Sequence, residues 1–389
     1  MKMKILAVGG GSGGHVTPVV AVLREIHKKE PDAEVRFWCD RKFESQARSI
    51  VHTYDPSIII HTVTAGKLRR YNHLTLLQHL TIPSVVFPNI RDMALVLAGT
   101  IQSIIKLMVW RPDVVFTKGG YVCLPVGWAA RLLRIPLVIH DSDAHPGLTN
   151  KLLARSATAI ATGAPLEYYS YPKSKTTYVG VPVGEAFVPY TVEQRIAAKR
   201  ELGVDPSHPL IVVTGGGLGA RRINDAIALH LAQLMSLGTV ILISGTEQFD
   251  ELRAITPSDD PRFQLHSFVS SGMVTMLAAA DIVVTRAGAT TLLELAALAK
   301  PTVLVPNGQL TGGHQLKNAK VYEDNDAAIV VDDTLFSTAG DSTLVDAVKM
   351  LLASPDRQKV LSRNIHTLAR PHAAKDMAAL ILSTAAPKK

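Results

Sequence analysis

Short apolar runs rich in β-branched residues recur along the whole chain, separated by stretches with a helical period. Apolar and polar residues do not alternate within the runs, so each run is expected to be a strand buried on both faces of a parallel sheet. The runs are residues 5–8, 35–39, 58–63, 114–117, 137–140 and 159–162 in the first half, and 210–214, 240–244, 263–268, 282–285, 302–305 and 328–331 in the second. The pattern predicts an α/β fold built from doubly wound parallel sheets.

The length of 389 residues exceeds one ordinary hydrophobic core and suits two domains of roughly 150 to 200 residues each. Residues 179–185 are rich in Gly and Pro and have no period, so we place the domain boundary there. The predicted domains are residues 1–183 and 184–370. Residues 371–386 begin at a proline and are predicted to form a helix that packs back on the first domain.

The net charge of +8 and the pI of about 9.4 indicate an anionic partner: nucleic acid, a membrane surface or a phosphate-rich substrate. Aromatic residues make up 5% of the chain and no basic run is interleaved with them, so no nucleic acid is expected.

Cys39 and Cys123 have neither metal spacing nor a CxxC arrangement, which fits a reducing compartment. No run reaches eighteen apolar residues and the first apolar segment ends at Val8. We therefore expect neither a spanning helix nor a signal peptide.

A second apolar segment departs from the strand pattern. On a helix over residues 90–110, Arg91, Gln102 and Lys106 fall near one polar stripe, whereas residues 93–98 are almost wholly apolar. Periodicity alone favours a helix packed on its own domain. The alternative is a helix that lies in a lipid headgroup region, where each nearby cation adds about 1 kcal/mol on an anionic surface. The candidate membrane residues are Arg69, Arg70, Leu95, Leu97 and Lys106.

Two glycine loops follow predicted strands about 200 residues apart. Gly9, Gly11 and Gly14 have the GxGxxG spacing of a loop that leads into a phosphate-binding helix, and residues 215–220 form a second glycine loop. A dinucleotide-dependent oxidoreductase would need only one such loop. His15 opens the first helix, where the positive end of the dipole favours a neutral imidazole that can accept a proton. A structural cap is the alternative role for His15.

Carboxylates and amides supply further candidate site residues. Asp141 and Asp143 follow a strand at its carboxyl end, where they could act as bases or simply form a turn. Glu294 lies on an apolar helix and could accept hydrogen bonds from a ribose diol, although a solvated surface glutamate fits the pattern too. Gln315 and Asn318 share one helix face, next to His314, and could bind sugar hydroxyls or lie on the surface.

Seven sequence blocks occur in the order seen in the MurG family, and together they cover nearly the whole chain. The blocks are residues 10–18 (GGSGGHVTP), 119–121 (GGY), 140–150 (HDSDAHPGLTN), 180–183 (GVPV), 215–221 (GGGLGAR), 286–294 (RAGATTLLE) and 314–318 (HQLKN). The chain thus resembles the peripheral membrane N-acetylglucosaminyltransferases that complete lipid II in peptidoglycan synthesis.

The resemblance implies a GT-B fold, in which two Rossmann-like domains face a cleft. It also implies an inverting, metal-independent hexosyltransferase without a cofactor. This enzyme would transfer N-acetylglucosamine from UDP-N-acetylglucosamine, held by the second domain, to lipid I, held by the first. Its expected location is the cytoplasmic face of the cell membrane, bound peripherally to an anionic surface, and its oligomeric state is left open.

The matched blocks carry the expected site residues. The donor residues are Gly215, Gly216, Gly217, Gly219, Ala220, Arg221, Arg286, Gly288, Ala289, Thr290, Glu294, His314, Gln315 and Asn318, and the acceptor diphosphate residues are Ser12, Gly13, Gly14 and His15. In the family the glutamate matched by Glu294 binds the ribose hydroxyls. His15 is expected to act as the base or to orient the acceptor, with Asp141 or Asp143 as its partner. We find no DxD-like acidic pair placed to hold a divalent cation between the phosphates, so helix dipoles and arginines must neutralise the leaving UDP.

Several positions depart from the family pattern. The chain has Asp-Ser-Asp at 141–143 where the family commonly has Glu-Gln-Asn after the histidine. Gly217, Leu218, Ala287, Gly184 and His314 replace a usual serine, glutamine, serine, arginine and glutamine. These changes remove side-chain donors that backbone amides or Arg222 would have to replace. They leave open a diacylglycerol acceptor, a UDP-sugar epimerase of the same fold, and a non-enzymatic nucleotide-binding scaffold.

Overall fold

A computed structural model describes residues 2–10, 13–68, 75, 78, 81–216, 219–269, 272–309, 313–334, 336 and 341–385, and for residues 13–15 it describes the backbone alone. The chain divides into two compact units. The first consists of Met1–Gly184, Gln309–His314 and Arg370–Lys389, and the second of Glu185–Gly308 and Gln315–Ala369. The chain thus passes from the first unit to the second within the Gly/Pro segment at 179–185.

Within the described residues, seven parallel strands form the sheet of the first unit, in the order β3-β2-β1-β4-β5-β6-β7. The strands are β1 (Lys4–Val8), β2 (Glu34–Asp40), β3 (Ile59–Val63), β4 (Val114–Thr117), β5 (Leu137–Asp141), β6 (Ala159–Thr162) and β7 (Thr176–Tyr178). The helices of this unit are α1 (Gly13–Lys29), α2 (Glu44–Tyr54), α3 (Pro83–Trp110), α4 (Cys123–Leu132), α5 (Leu148–Leu153) and, at the end of the chain, α15 (Ala373–Ala385).

Helices cover both faces of this sheet because successive strand residues point to opposite sides. Ile5 and Ala7 of β1 belong to a buried cluster with α1, α2 and α15, whereas Leu6 and Val8 belong to a second cluster with α3 and α4. The last helix packs directly on α1 and buries Met377 completely. Residues from the two ends of the chain therefore share one core.

The second unit contains six parallel strands in the part of the chain that is described, in the order β10-β9-β8-β11-β12-β13. They are β8 (Leu210–Thr214), β9 (Thr239–Ile243), β10 (Phe263–His266), β11 (Ile282–Thr285), β12 (Thr302–Leu304) and β13 (Ile329–Val330). The helices are α6 (Val192–Glu201), α7 (Arg221–Leu229), α8 (Leu231–Leu237), α9 (Phe249–Ile255), α10 (Met273–Ala279), α11 (Ala289–Ala297), α12 (His314–Asp324), α13 (Thr343–Ala353) and α14 (Pro355–Thr367).

The predicted doubly wound parallel architecture is confirmed in each unit, and each of the twelve predicted runs contains a strand. Strand β7 is missing from the prediction because its three residues, Thr-Thr-Tyr, lie at the sheet edge and only the first is buried.

In both sheets the strand order reverses in the middle, between β1 and β4 and between β8 and β11. Ligands of doubly wound sheets bind outside the carboxyl ends of the strands at these reversals. The two glycine loops follow β1 and β8 and so lie at these points.

Helix α3 is longer than the predicted helix over residues 90–110. It begins at Pro83, a favourable first helical residue, and ends at Arg111, whose φ of 32° is left-handed. By length and composition α3 could cross a membrane, a criterion that core helices of soluble proteins also meet, and a third of its apolar window is buried in the unit (33%). It packs extensively on α4. Because this criterion rests on length and composition alone, the absence of a spanning helix stays a prediction.

Candidate active site

In the first unit a cavity of about 210 Å³ lies beyond the carboxyl ends of β4 and β5. Its lining includes Gly119 and Gly120, whose φ angles of 96° and 88° lie in the left-handed region that glycine tolerates without strain. These two glycines turn the chain from β4 toward α4. The other lining residues are Gly66, Leu68, Lys118, Tyr121, Leu124, Asp141, Ser142, Asp143, Gly147, Leu148, Thr149 and Asn150.

The two predicted aspartates meet in this cavity. Asp141 is buried, and its Oδ2 accepts hydrogen bonds from the Tyr171 hydroxyl at 2.7 Å and from the Gly147 amide at 3.2 Å. Burial raises the pKa of Asp141 to about 7, although these hydrogen bonds oppose the rise. Asp143 is half-buried, and its backbone oxygen accepts a hydrogen bond from the Tyr169 hydroxyl. The cavity therefore holds one carboxyl that titrates near neutrality and a second, more exposed one.

Lys118 is a residue that sequence reasoning missed. Its side chain is 1% exposed, and its ammonium donates a hydrogen bond to the Ser142 hydroxyl. Burial lowers the pKa of Lys118 to about 8, while the charges of Asp143 and Asp141 oppose that fall. The available signal was a lysine placed directly between an apolar strand and the Gly-Gly turn, where a solvated lysine is not expected.

The predicted acceptor loop can be followed only in part. Gly13, Gly14 and His15 form the first turn of α1, which follows β1 at the reversal of the strand order. The His15 side chain and the whole of Ser12 lie outside the described residues. The proton-accepting role of His15 therefore stays a prediction. Among the residues that the structure describes, no three His, Cys, Asp or Glu side chains lie where they could hold a metal ion.

In the second unit Glu294 borders a cavity of about 160 Å³, whose other lining residues are Thr214, Gly216, Ile243, Phe268, Val269, Met273, Leu277 and Thr291. Burial raises the pKa of Glu294 to about 7. Phe268 is 60% exposed at the edge of this cavity, and sequence reasoning did not single it out. An apolar cavity with one carboxyl and an exposed aromatic ring suits a ligand that has a flat ring and hydroxyl groups.

Two glycine turns flank this cavity. Gly216 and Gly219 have left-handed φ angles of 81° and 76°, and a side chain on Gly219 would collide with the Ser244 carbonyl. Gly215 and Ala220 complete the described part of the loop before α7, and Gly217 lies outside the described residues. Gly288 borders open space just before α11, whose first turn contains Ala289 and Thr290. First-turn amides of a helix have no intrahelical partner and can bind an anion.

The arginines predicted for the diphosphate are already paired. Arg286 is buried, and its Nη1 donates to Asp333 Oδ2 at 2.7 Å and to the Val305 carbonyl at 2.9 Å. Arg222 binds the other oxygen of the same carboxylate at 3.2 Å. Arg221 forms an exposed pair with Glu251. Asp333 carries one negative charge against the two positive charges of Arg286 and Arg222, so one positive charge of this group stays uncompensated. The role of Arg221 and Arg286 toward the diphosphate stays a prediction.

The polar residues of α12 hold neighbouring loops. Gln315 Oε1 accepts a hydrogen bond from the Asn307 amide at 2.9 Å, and the buried Asn318 donates to the Ala287 carbonyl at 3.0 Å. His314 is half-buried at the first residue of the helix. In this arrangement the two amides fix the loops after β12 and β11, and binding of sugar hydroxyls by them stays a prediction.

Two residues of the predicted polar stripe of α3 bind their own unit. Lys106 donates to the Thr62 carbonyl at 2.9 Å, and Gln102 accepts from the Thr64 amide at 2.9 Å. Leu95 is half-buried, while Arg69 and Arg70 lie outside the described residues. Membrane contact of these residues stays a prediction. The exposed face is apolar instead and carries Phe87, Ile90, Ala94, Leu97, Ile101, Ile105 and Met108. These residues follow helical spacing over about 30 Å.

Comparisons with known proteins agree with two glycosyltransferase domains. Residues 5–162 match the Glycosyltransferase family 28 N-terminal domain, and residues 210–377 match the Glycosyltransferase family 28 C-terminal domain. The fold is similar to that of MurG from Acinetobacter baumannii, with a TM-score of 0.72, 24% identity, and coverage of 98% of this chain and 100% of the other. It is also similar to UDP-GlcNAc 2-epimerase from Neisseria meningitidis, with a TM-score of 0.67, 13% identity and coverage of 98% and 100%. Fold and sites together define a two-domain nucleotide-sugar glycosyltransferase.

Sequence comparison narrows this class. The chain is 32% identical over 386 residues to UDP-N-acetylglucosamine–N-acetylmuramyl-(pentapeptide) pyrophosphoryl-undecaprenol N-acetylglucosamine transferase of Halalkalibacterium halodurans, covering 98% of this chain and 100% of that protein. It is 30% identical over 379 residues to the protein of the same name from Acetivibrio thermocellus, with 96% of each covered. The chain belongs to this family of N-acetylglucosamine transferases, and the resemblance inferred from the seven blocks is confirmed.

Proposed function

We propose that the chain transfers N-acetylglucosamine from UDP-N-acetylglucosamine to the undecaprenyl-diphosphate-linked muramyl pentapeptide, lipid I, and so forms lipid II. The observation that carries this proposal is the 32% identity over the full length of a transferase with that acceptor in its name. The likeness to a 2-epimerase concerns the fold alone, at 13% identity.

The donor is assigned to the second unit. The Glu294 carboxyl borders an apolar cavity at the carboxyl edge of the sheet, and a carboxylate there can accept two hydrogen bonds from a ribose diol. Asp333 already forms an ion pair with Arg286, so backbone amides stabilise more of the negative charge of the diphosphate. Those amides lie in the loop around Gly215–Ala220 and in the first turn of α11.

The acceptor is assigned to the cavity of the first unit. The attacking hydroxyl must lose a proton as it bonds to the anomeric carbon, so the cavity needs a base. Asp141 and Asp143 lie there, and α1, with His15 in its first turn, follows β1 at the neighbouring strand-order reversal.

The location follows from α3. We propose that its exposed apolar face lies in the headgroup region of the cytoplasmic leaflet, because the acceptor is lipid-linked. Arg91 is exposed at the margin of this face, where an anionic surface attracts it. On the opposite face of the helix, Lys106 bonds Thr62 of β3 and Gln102 bonds Thr64, just after that strand. These contacts keep that face of the helix on the sheet. The helix then lies on the membrane rather than across it.

The test is transfer from radiolabelled UDP-N-acetylglucosamine by the purified protein. We expect labelled lipid II with lipid I as acceptor, no labelled glycolipid with diacylglycerol, and no release of N-acetylmannosamine. Label on diacylglycerol, or epimerised sugar without transfer, would replace the proposal with one of those activities. His15→Ala is expected to lower kcat about 100-fold, the lower part of the range for general acid–base groups.

A further inference from the structure

Lys118 joins the ends of two neighbouring strands. It directly follows β4, and its ammonium bonds Ser142, which directly follows β5. These strands pair in parallel, with Thr117 opposite Ile139. The buried lysine therefore reaches across the strand ends to the residue between Asp141 and Asp143.

The charges around Lys118 explain why a lysine can be buried here. Two carboxylates in one small cavity would repel each other, and both would be hard to ionise. The ammonium is affected by Asp143 first and Asp141 second, and both stabilise its charged form. Two carboxylates and one ammonium leave at most one net negative charge in the cavity.

The two aspartates differ in how they are held. Asp141 ends β5 in a buried position, and its Oδ2 already accepts from the Tyr171 hydroxyl and the Gly147 amide. Asp143 is half-buried and lines the cavity. Of the two carboxyls, that of Asp143 is therefore the one that an incoming hydroxyl can reach.

We propose that Lys118 is a positioning residue of the acceptor site: through Ser142 it fixes the 141–143 turn and so places the Asp143 carboxyl as the base for the acceptor hydroxyl. This inference rests on the proposed transferase function. In the step, the acceptor hydroxyl oxygen bonds to the anomeric carbon while the bond from that carbon to the UDP oxygen breaks. The electron pair leaves with UDP, and the hydroxyl proton moves to the Asp143 carboxylate and then to solvent.

The experiment compares Lys118→Met, Lys118→Arg and Asp143→Asn with Lys175→Met as the matched control. Lys175 is a half-buried lysine of the same unit whose ammonium binds the Ala154 and Ala157 carbonyls outside the cavity. For each variant, kcat and both KM values are measured from pH 5.5 to 9, with circular dichroism to check folding.

Lys118→Met is expected to lower kcat about 10-fold or more, because the turn that carries Asp143 loses the hydrogen bond that fixes it. The KM for UDP-N-acetylglucosamine stays unchanged. Lys118→Arg restores part of the kcat because its guanidinium can still donate to Ser142. Asp143→Asn loses about 100-fold or more in kcat because the base is removed. Lys175→Met keeps the wild-type kcat.

A Lys118→Met enzyme that is folded and keeps the wild-type kcat would overturn the proposal, as would an Asp143→Asn enzyme with wild-type kcat. If Lys118→Met does not fold, Ser142→Ala removes only the hydroxyl that the ammonium binds. Ser142→Ala is expected to lower kcat several-fold with the KM for the donor unchanged, and an unaltered kcat would refute the positioning role. A wild-type protein without transferase activity would instead refute the proposed function itself.

Discussion

At the scale of single residues, burial moves the pKa of Lys118, Asp141 and Glu294 to between about 7 and about 8. Each of these residues lines a cavity associated with the carboxyl edge of a sheet. Burying an ionisable group where its charged form is penalised lowers the stability of the fold. Such groups therefore concentrate at functional sites, where activity requires them. Charged Arg286 is equally buried, but it is paired with Asp333 and so serves the structure of the second unit.

Glu294→Gln is expected to stabilise the protein while weakening the donor site. The folded-state pKa of about 7 lies above the ordinary 4.5, so the stability contributed by the protonated carboxyl is complete below pH 4.5 and is lost as pH rises through 7. The variant should match the wild type at pH 4 and exceed it by about 3 kcal/mol at pH 8. Urea unfolding at both pH values measures this.

The same variant should bind UDP about 10-fold or more weakly, because an amide oxygen is a poorer acceptor for a ribose diol than a carboxylate. Glu323→Gln, on an exposed position of α12, serves as the control and should change neither quantity. Equal stability of Glu294→Gln and wild type at pH 8 would show that burial does not penalise this carboxylate.

Asp333→Asn is expected to destabilise the second unit by about 3 kcal/mol, because it leaves the buried Arg286 guanidinium without its counter-charge. Arg222→Gln removes the other partner of Asp333. Because the Arg222 side chain is 43% exposed, this variant should lower the free energy of unfolding by less than about 1 kcal/mol. Thermal unfolding of the two variants checks the difference. Equal losses would mean that the buried pair contributes no more than the exposed one.

At the scale of elements, α3 carries large apolar side chains on both of its faces. Its buried face combines Leu107 and Trp110 with the polar Ser103, while other large apolar side chains point outward. Gly99 allows close packing, since a side chain there would collide with the Thr64 carbonyl. An exposed apolar face of this length on a folded unit marks an interaction surface.

Leu97→Asp combined with Ile101→Asp is expected to abolish flotation with vesicles that contain anionic lipid, because two charges would enter the headgroup boundary on the apolar face. Leu229→Asp, which charges a 66% exposed leucine of α7 in the second unit, is the matched control and should float as the wild type does. Undiminished flotation of the double variant would refute membrane docking through α3.

At the scale of the whole molecule, the chain returns to the first unit after completing the second. Helix α15 contributes Met377, Ala378 and Ile381, all fully buried, to the cluster that also contains residues of α1 and β1. The first unit therefore lacks part of its core until the last residues of the chain are in place.

Met377→Asp is expected to destabilise the first unit by about 3 kcal/mol or more, because it buries an unpaired carboxylate in that core. Lys375→Ala, at an exposed position of the same helix, should have little effect. Urea unfolding followed by limited proteolysis measures both, and UDP binding by the second unit should survive in the Met377→Asp variant. A wild-type unfolding curve for Met377→Asp would show that α15 does not complete the core.

The sequence pattern alone was enough to predict the elements whose conformation depends on neighbouring residues in the chain. Strands buried on both faces must be continuously apolar, so β1, β8 and the other central strands can be predicted from the sequence. Glycines are needed where the backbone turns left-handed, as at Gly119 and Gly216. Parallel strands place their carboxyl ends on one edge, and so Asp141 could be assigned to a site before any tertiary structure was known.

What the tertiary structure decided was the partner of each side chain. The pairing of Arg286 with Asp333, the contact of Lys118 with Ser142 and the inward face of α3 join residues that lie 24 to 47 positions apart in the chain, as their hydrogen bonds show. No sequence period encodes such contacts, because crossover connections determine which strand ends become neighbours. The sequence by itself determined two parallel-sheet units and the edges where chemistry can occur. Only the fold determined which charges at those edges are compensated and which remain available to substrate.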